Sequence, residues 1–463
     1  MRGVLLSKYT TVAITLLAAL TFIFTVAHID NRAVYIVIAS AVGVVILLST
    51  LSPAVLWAVI TFLYITVESE HYHLGNFPFP LLPFPLIALL NAGLLILTLY
   101  HYAIRSEQEI LLSKEERWVV AFLCCVLLST GVGMINGYTT KAILKETGLM
   151  LGYIGFIAVI RSKRKLFPIF WTIIIAGATI ASLEYIYLAY SVIKSPYLFS
   201  HRIATRQAVI GVPILTIGYS LLLWGNRKNR IVGIAMITSL VPILILSLQR
   251  SLWIASILGI TASTTIGLVL SKTARKRALI TLLSSTIVIT IAIISGITFI
   301  KHNLGEEFVS TVEMRINTFQ NIEHDISYRT RLSDTQSVFK FKLEAHPTAL
   351  LWGRGLGDRV QRTYPRSEIP FFIDNTYIVI LWKMGSIGLV VFISMLMAYL
   401  AKFLHLAKTK EDNVWAIGYA SFMIAFMFYA LTTNIGVNYR FITVFWGIIA
   451  TGFLYYKEEE TNV

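Results

Sequence analysis

The amino-acid sequence predicts an all-α, polytopic transmembrane helical bundle, and three observations lead to this fold class. Hydrophobic residues make up 56% of the 463 residues and charged residues only 14%, whereas soluble domains carry about 25% charged residues. The apolar residues are grouped in runs, many of them near the roughly 20 residues that a membrane-spanning helix needs. Lysine and arginine are concentrated in every second connection between these runs.

About fourteen apolar runs are predicted to span the membrane. The first, 9–27, follows a positively charged start and lacks a clear small-residue cleavage site, so we expect it to remain as a helix and not to be removed as a signal peptide. The run at 53–67 is the shortest. The predicted spans are 9–27, 33–50, 53–67, 84–100, 118–135, 141–160, 167–190, 207–224, 231–247, 252–270, 278–299, 375–400, 414–432 and 441–456.

The positive charges predict how these spans are oriented. With a cytoplasmic N-terminus and alternating spans, the inner segments hold twenty lysines and arginines, with clusters at 161–165, 226–230 and 272–277. The short outer loops hold six. This bias follows the positive-inside rule, so we expect a bacterial inner (plasma) membrane protein with both termini in the cytoplasm. The net charge of +15 is then explained by membrane anchoring and a basic outer loop, and no nucleic-acid partner is expected.

One long outer segment divides the chain into three parts. Residues 1–299 hold spans one to eleven, residues 300–374 form a large extracytoplasmic loop, and residues 375–463 hold the last three spans and a short cytoplasmic tail. The loop carries ten positive residues. Apolar residues recur at three- and four-residue steps in 306–322 and 331–345, which predicts a lid of short amphipathic helices lying on the outer membrane surface.

A glycine-rich stretch, "WGRGLGD", closes this predicted lid. It lacks the Gly-Lys-Ser/Thr end of a P-loop and lies on the wrong side of the membrane for ATP. Gly353, Gly355 and Gly357 are therefore predicted to form a tight turn that returns the loop to the membrane.

Arginines near the outer surface are the first candidate functional residues, because a guanidinium binds two phosphate oxygens at once and stays charged. Arg250 lies between two spans joined by almost no loop, so it is either a snorkelling interface residue or an anion-binding residue at the mouth of a cavity. Arg202 and Arg206 precede the eighth span, with a structural and a functional role equally open. Arg329 and Arg331 begin a predicted loop helix, where a solvated face is the alternative.

Asp374 and Asn375 begin a spanning helix at the outer surface. Both residue types are favoured as helix N-caps, and a carboxylate facing several arginines can also accept a proton from a sugar hydroxyl. The two interpretations are compatible. None of the outer histidines has metal-ligand spacing supported by carboxylates, so no metal and no other cofactor is expected.

Several motifs now occur in a fixed order on one predicted membrane face. "QRSLWIA" opens a span, "RTRLSDTQSVFKFKLEA" begins with arginines, "GRGLGD" makes a turn, and "DNTYIVILWKMGSIGL" enters the next span. The run from Arg250 to Gly388 resembles the O-antigen ligase and polymerase superfamily of membrane glycosyltransferases. The matching residues, in order, are Arg250, Arg331 or Arg329, Gly353, Gly355, Gly357, Asp374, Asn375, Gly385 and Gly388.

The resemblance implies a GT-C-like bundle that performs metal-independent glycosyl transfer on the outer face. The implied donor is an oligosaccharide on undecaprenyl pyrophosphate, and the acceptor is a glycan hydroxyl. Arg250, Arg331 and Arg206 would hold the pyrophosphate, and Asp374 would activate the acceptor. Membrane lipids surround the site, and the sequence leaves open whether a chain-length regulator is a further partner.

The sequence departs from the ligase branch at one place. The ligases that attach O-antigen to lipid A core carry His where this chain has Asp374, and they usually have about a dozen spans. The first choice is therefore a polymerase of lipid-linked repeat units, with a ligase second. A lipid-linked oligosaccharide flippase is the alternative from another class. Few ionisable residues fall in or at the ends of the spans: Lys141, Lys145, Glu146, Glu184 and Lys383. This pattern favours an outer-face enzyme over a conduit.

Overall fold

The computed structural model describes most of the central and C-terminal helices. The described residues are 52–66, 84–99, 101, 112–193, 209–240, 243–244, 249–270, 326–344, 347–361, 368–369, 373–410, 413–434 and 441–457. Four predictions lie outside them: the spans at 9–27, 33–50 and 278–299, and the loop helix at 306–322. Arg202 and Arg206 lie outside them as well.

Every predicted span that falls on described residues contains a helix. The helices are α1 (Pro53–Thr66), α2 (Phe84–Leu99), α3 (Lys114–Ile135), α4 (Thr140–Met150), α5 (Ile154–Ile160), α6 (Phe167–Ile193), α7 (Gly211–Trp224), α8 (Arg227–Thr238), α9 (Arg250–Leu270), α10 (Ile326–Val338), α11 (Pro347–Trp352), α12 (Thr376–Thr409), α13 (Val414–Thr432) and α14 (Phe441–Tyr455). A 3₁₀ turn, Leu151–Tyr153, joins α4 to α5, and another, Arg164–Leu166, precedes α6. Wide helical turns at Phe339–Glu344 continue α10. The strands β1 (Val360–Gln361) and β2 (Glu368–Ile369) form a short antiparallel pair.

Within these ranges, six helices are long and apolar enough to cross a membrane. They are Lys114–Ile135, Thr140–Ile160, Arg164–Leu183, Ser251–Leu270, Thr376–Thr409 and Val414–Thr432. The protein is therefore a helical membrane protein, as its composition predicts. The total of about fourteen spans stays a prediction.

Small residues let α14 approach the α4–α5 span closely. A Cβ at Gly152 would lie 2.6 Å from the Thr443 hydroxyl, and one at Gly155 would lie 2.7 Å from the Thr443 carbonyl. Close approach through small residues is how apolar helices gain contact when lipid is as apolar as they are. Beside this contact, aromatic rings fill the core, with Phe156 stacked on Tyr399 at a centroid distance of 5.1 Å.

Three of the basic residues that are predicted to lie inside are found at one end of the described bundle. Arg161, after α5, forms an ion pair with Glu116 in the first turn of α3, and Lys402, near the end of α12, lies 3.9 Å from Glu115. Arg164 lies over the ring of Tyr455 at the end of α14. Because α12 runs from one end of the bundle to the other, its first residues and Asp374 lie at the opposite end.

The described part of the loop between α9 and α12 packs on the bundle in two places. The buried residues of α10 are Ser333, Asp334, Ser337 and Val338, whereas Leu332 is exposed. The glycine-rich turn that follows α11 is buried among α3, α4 and α12. A lid on the outer membrane surface stays a prediction.

Candidate functional site

The N-terminus of α12 separates the roles of the two residues that the sequence predicts there. Asn375 is the N-cap, and its side-chain oxygen accepts the Ile378 N–H at 3.1 Å. Asp374 lies one residue outside the helix. Its carboxylate accepts a hydrogen bond from the Nε of Arg331 on α10 at 3.2 Å. Asn375 therefore caps α12, whereas the carboxylate of Asp374 forms an ion pair with Arg331.

The Arg331–Asp374 pair is accessible to water. The side chains are 34% and 51% exposed, respectively, and exposed ion pairs contribute about 0–1 kcal/mol to stability at most. The pair therefore adds little to the free energy of unfolding. A guanidinium next to a carboxylate at an accessible helix N-terminus does provide a cation for an anionic ligand and a proton acceptor beside it.

Hydrogen bonds connect this position to the start of α9. Thr376 donates both its N–H, at 3.0 Å, and its hydroxyl, at 2.9 Å, to the Thr433 carbonyl just after α13. One turn earlier, the Tyr429 hydroxyl donates to the Gln249 side chain at 3.4 Å. Gln249 precedes Arg250, the first residue of α9. The starts of α9 and α12 and the end of α13 therefore lie at the same end of the bundle.

The sequence-predicted arginines divide into three groups in the structure. Arg331 contacts Asp374 directly. Arg329 is exposed two residues earlier on α10, and Arg250 opens α9 at the same end. Arg202 and Arg206 belong to the undescribed part of the chain. The geometry thus brings together Arg331 and Asp374, with Arg329 on the same helix as Arg331 and Arg250 at the start of α9 at the same end of the bundle.

The three predicted turn glycines all have left-handed backbone conformations. Gly353, Gly355 and Gly357 have φ values of 78°, 90° and 91°, a region that L side chains rarely adopt. A Cβ on Gly355 would also lie 2.4 Å from the backbone nitrogen of Gly133 on α3. Glycine is therefore required both by the turn and by its close contact with α3.

This turn fills a break in α12. Gly385 has a φ of 70° inside the helix, which frees carbonyl groups one turn earlier. The Arg354 N–H donates to the Trp382 carbonyl at 2.8 Å, and the Gly355 N–H donates to the Lys383 carbonyl at 3.0 Å. Irregular backbone at membrane depth is tolerated where protein groups satisfy it, and the turn and the broken helix satisfy each other.

A buried ion pair lies directly behind the turn. Lys383 and Glu146 are both fully buried, and the Lys383 Nζ lies 3.2 Å from each carboxylate oxygen of Glu146. The same ammonium donates to the Asp358 carbonyl at 2.5 Å. Glu146 also accepts the Gly357 N–H at 2.9 Å. The two ionisable residues that the sequence places in separate spans therefore pair with each other through the end of the loop.

Asp358 is a member of this cluster that the sequence analysis did not single out. Its buried carboxylate accepts the Trp382 indole N–H at 2.8 Å and lies 3.7 Å from the Arg354 Nε. Burial, reinforced by the charge of Asp358, raises the pKa of the nearby Tyr138 phenol to about 12. The available signal is an acidic residue directly after the third glycine, although nothing in the sequence indicates which helices it contacts.

Comparisons with known proteins leave the family open. No protein-family model matches the chain, and no curated protein is significantly similar to it. Function is therefore inferred from the residues and their positions.

Proposed function

We propose that this protein is a metal-independent membrane glycosyltransferase that acts on undecaprenyl-pyrophosphate-linked glycans at the outer face of a bacterial inner membrane and polymerises surface polysaccharide repeat units. The observation that carries the proposal is the contact between Arg331 and Asp374, at the end of the bundle opposite the basic residues. A GT-C-like bundle of about fourteen spans is part of the same proposal.

Arg331 supplies the group that a pyrophosphate needs. Its Nε contact with Asp374 uses one of the five N–H donors of a guanidinium, and the planar fork suits paired phosphate oxygens. Arg329 on the same helix, Arg250 at the start of α9, and Arg202 and Arg206 complete the proposed pyrophosphate-binding set. Stabilising the charge that develops on a leaving group is usually the largest single contribution to catalysis.

Asp374 is the proposed base. The acceptor hydroxyl oxygen attacks the anomeric carbon of the donor, and the bond from that carbon to the pyrophosphate oxygen breaks. The pyrophosphate leaves on its lipid with the electron pair, and the hydroxyl proton passes to the Asp374 carboxylate. The position of Asp374 next to an arginine, half exposed to solvent, suits a group that must meet a large hydrophilic acceptor.

The two alternative functions are a ligase and a flippase. A ligase that transfers finished glycan to another acceptor would use the same Arg331–Asp374 pair. A flippase is favoured by ionisable residues within the spans, and Lys383 and Glu146 are such residues. However, both side chains are fully buried and hydrogen-bonded to the glycine turn. This arrangement suits a fixed structural contact better than a water-filled transport path.

Genetic complementation tests the proposal. The gene is deleted in its native host and restored as wild type, Arg250→Ala, Arg331→Ala or Asp374→Ala, with Lys340→Ala, an exposed loop residue, as the matched control. The size profile of surface glycan and of lipid-linked intermediates is read on gels, with protein levels checked.

Each outcome assigns a function. Single repeat units on lipid and loss of long chains support the polymerase. Long chains retained on undecaprenyl pyrophosphate identify a ligase. A wild-type glycan profile from the Arg331→Ala and Asp374→Ala variants contradicts the proposed site and favours the flippase.

A further inference from the structure

Lys383 is a buried lysine within a membrane-spanning helix, where burying its charge costs free energy. It is the eighth residue of α12, so it lies about 11 Å along the helix from its start, and it is fully buried. Charged side chains within membrane spans are rare and need a specific reason. Its neighbours on α12, Trp382 and Met384, are apolar.

Several contacts of Lys383 lead to one short stretch of the loop. The ammonium donates to the Asp358 carbonyl and to Glu146, and Glu146 accepts the N–H of Gly357. From the other side, the Lys383 carbonyl accepts the Gly355 N–H and the Ser129 hydroxyl. One residue of α12 therefore holds both ends of the turn through its side chain and its backbone.

The contacts of Lys383 and Glu146 with the glycine turn, here called the lock, join the two segments that carry the proposed site. These segments are α10 and the first part of α12. The Gly385 break separates the first part of α12, which follows Asp374, from the rest of the helix. The turn ends the segment that begins with α10, which carries Arg331, and α11 packs against α12 between them. Both segments are thus fixed to the bundle at the same point, next to the α12 break.

We propose that Lys383, together with Glu146, is a positioning residue that sets Arg331 against Asp374 by fixing the glycine turn in the break of α12. The chemical role of the positioned pair rests on the proposed function, whereas the positioning itself does not. A purely structural role for Lys383 would change protein stability and yield but would leave the Arg331–Asp374 distance in the folded protein unchanged.

Cross-linking measures that distance directly. Cys124 and Cys125 are replaced by alanine, and Arg331→Cys and Asp374→Cys are introduced together. A short bifunctional thiol reagent is applied to folded protein isolated by gel filtration in detergent. Adding Lys383→Met is expected to lower the cross-linking yield by about threefold or more. Lys402→Met, which removes the lysine of the exposed pair with Glu115 at the other end, is the matched control and should leave the yield unchanged.

A second variant keeps the test decisive if Lys383→Met does not fold. Glu146→Gln removes the charge and keeps one acceptor oxygen, which at the Oε2 position lies within reach of both the ammonium and the Gly357 N–H, so it is expected to give a smaller loss of yield in the folded protein. An unchanged yield in folded Lys383→Met, or in folded Glu146→Gln when the former is lost, overturns the positioning role. A reduced yield combined with normal glycan in the Asp374→Ala strain would instead leave positioning intact and reject the glycosyltransferase.

Discussion

Gly385 meets two separate requirements at one residue. Its φ of 70° breaks α12, and a Cβ there would lie 2.1 Å from the Leu351 carbonyl oxygen. A left-handed conformation costs a residue other than glycine about 1–3 kcal/mol, and the backbone atom of Leu351 has little freedom to move because α11 packs on α12. Glycine at this position is therefore required both by the break in α12 and by the contact with α11.

Gly385→Ala is therefore expected to lower the free energy of unfolding by about 2 kcal/mol or more. The measurement is the thermal unfolding midpoint of detergent-purified protein. Gly131→Ala is the matched control, since a Cβ at this helical glycine of α3 meets nothing within 4 Å and alanine favours helix by up to about 1 kcal/mol. Equal midpoints for the two variants would contradict the strained break.

Asn375 and Asp374 are adjacent but separable by mutation. Asn375→Ala removes the acceptor for the Ile378 N–H and is expected to destabilise the start of α12 by about 0.5–2 kcal/mol. Asn375→Ser keeps a capping oxygen and should behave like the wild type. Hydrogen exchange of the first-turn amides reads the effect locally. Faster exchange in Asp374→Ala than in Asn375→Ala would reverse the assignment of the cap.

At the scale of elements, the sequence predicts both α12 and the glycine turn, but it does not predict that they contact each other. The three glycines and the final aspartate indicate a turn, and the apolar run after Asp374 indicates a span. Their contact depends on Ser129 and Glu146, more than 200 positions away from the turn in the chain. Local patterns carry no information about which distant helix satisfies a carbonyl freed by Gly385, so the depth of the turn could not be predicted.

A second polar contact between elements can be tested in the same way. Asn91 on α2 donates to the Gly148 carbonyl at 3.0 Å and accepts from the Thr443 hydroxyl at 2.7 Å and from Tyr64 at 3.2 Å. It therefore links four helices through one buried amide.

Asn91→Ala should cost about 1–3 kcal/mol for each buried group left unsatisfied, again read as the unfolding midpoint. Thr172→Ala removes an exposed hydroxyl that bonds only within α6 and should change stability by less than about 0.5 kcal/mol. A loss in Asn91→Ala no larger than in this control would show that the linked hydroxyls find other partners.

For the whole molecule, the positive charges predict an orientation in the membrane that can be tested at the two ends of one span. Lys141 and Lys163 are both exposed and lie at opposite ends of the span formed by α4 and α5. The sequence places Lys141 outside and Lys163 inside.

Single cysteines at these positions, in a background without Cys124 and Cys125, test this in intact cells. A membrane-impermeant maleimide should label Lys141→Cys and leave Lys163→Cys unlabelled until the membrane is permeabilised. The opposite pattern would place the Arg331–Asp374 pair in the cytoplasm and contradict an outer-face enzyme.

The helical class and most helix positions follow from composition and apolar run length, because a bilayer imposes them on every span. The buried side of α10 is harder to predict, because it includes Ser333 and Ser337 as well as Val338, while Leu332 is exposed. The Ser337 hydroxyl donates to the Ser333 carbonyl within the helix, so burial of these serines does not follow the apolar pattern. The pairing of Arg331 with Asp374 agrees with the order of motifs, but sequence alone could not give its distance.

The lock between Lys383 and the loop has a consequence for the synthesis of the chain. Glu146 enters the membrane long before Lys383 is made, and the glycine turn is translated between them. A lysine at the centre of a helix costs about 2.5–3.5 kcal/mol to insert into a membrane, and Lys383 lies nearer the start of α12. The apolar residues of α12 outweigh this cost, and the partners of Lys383 are already synthesised when α12 is made, so its ammonium can be paired as soon as the helix joins the bundle.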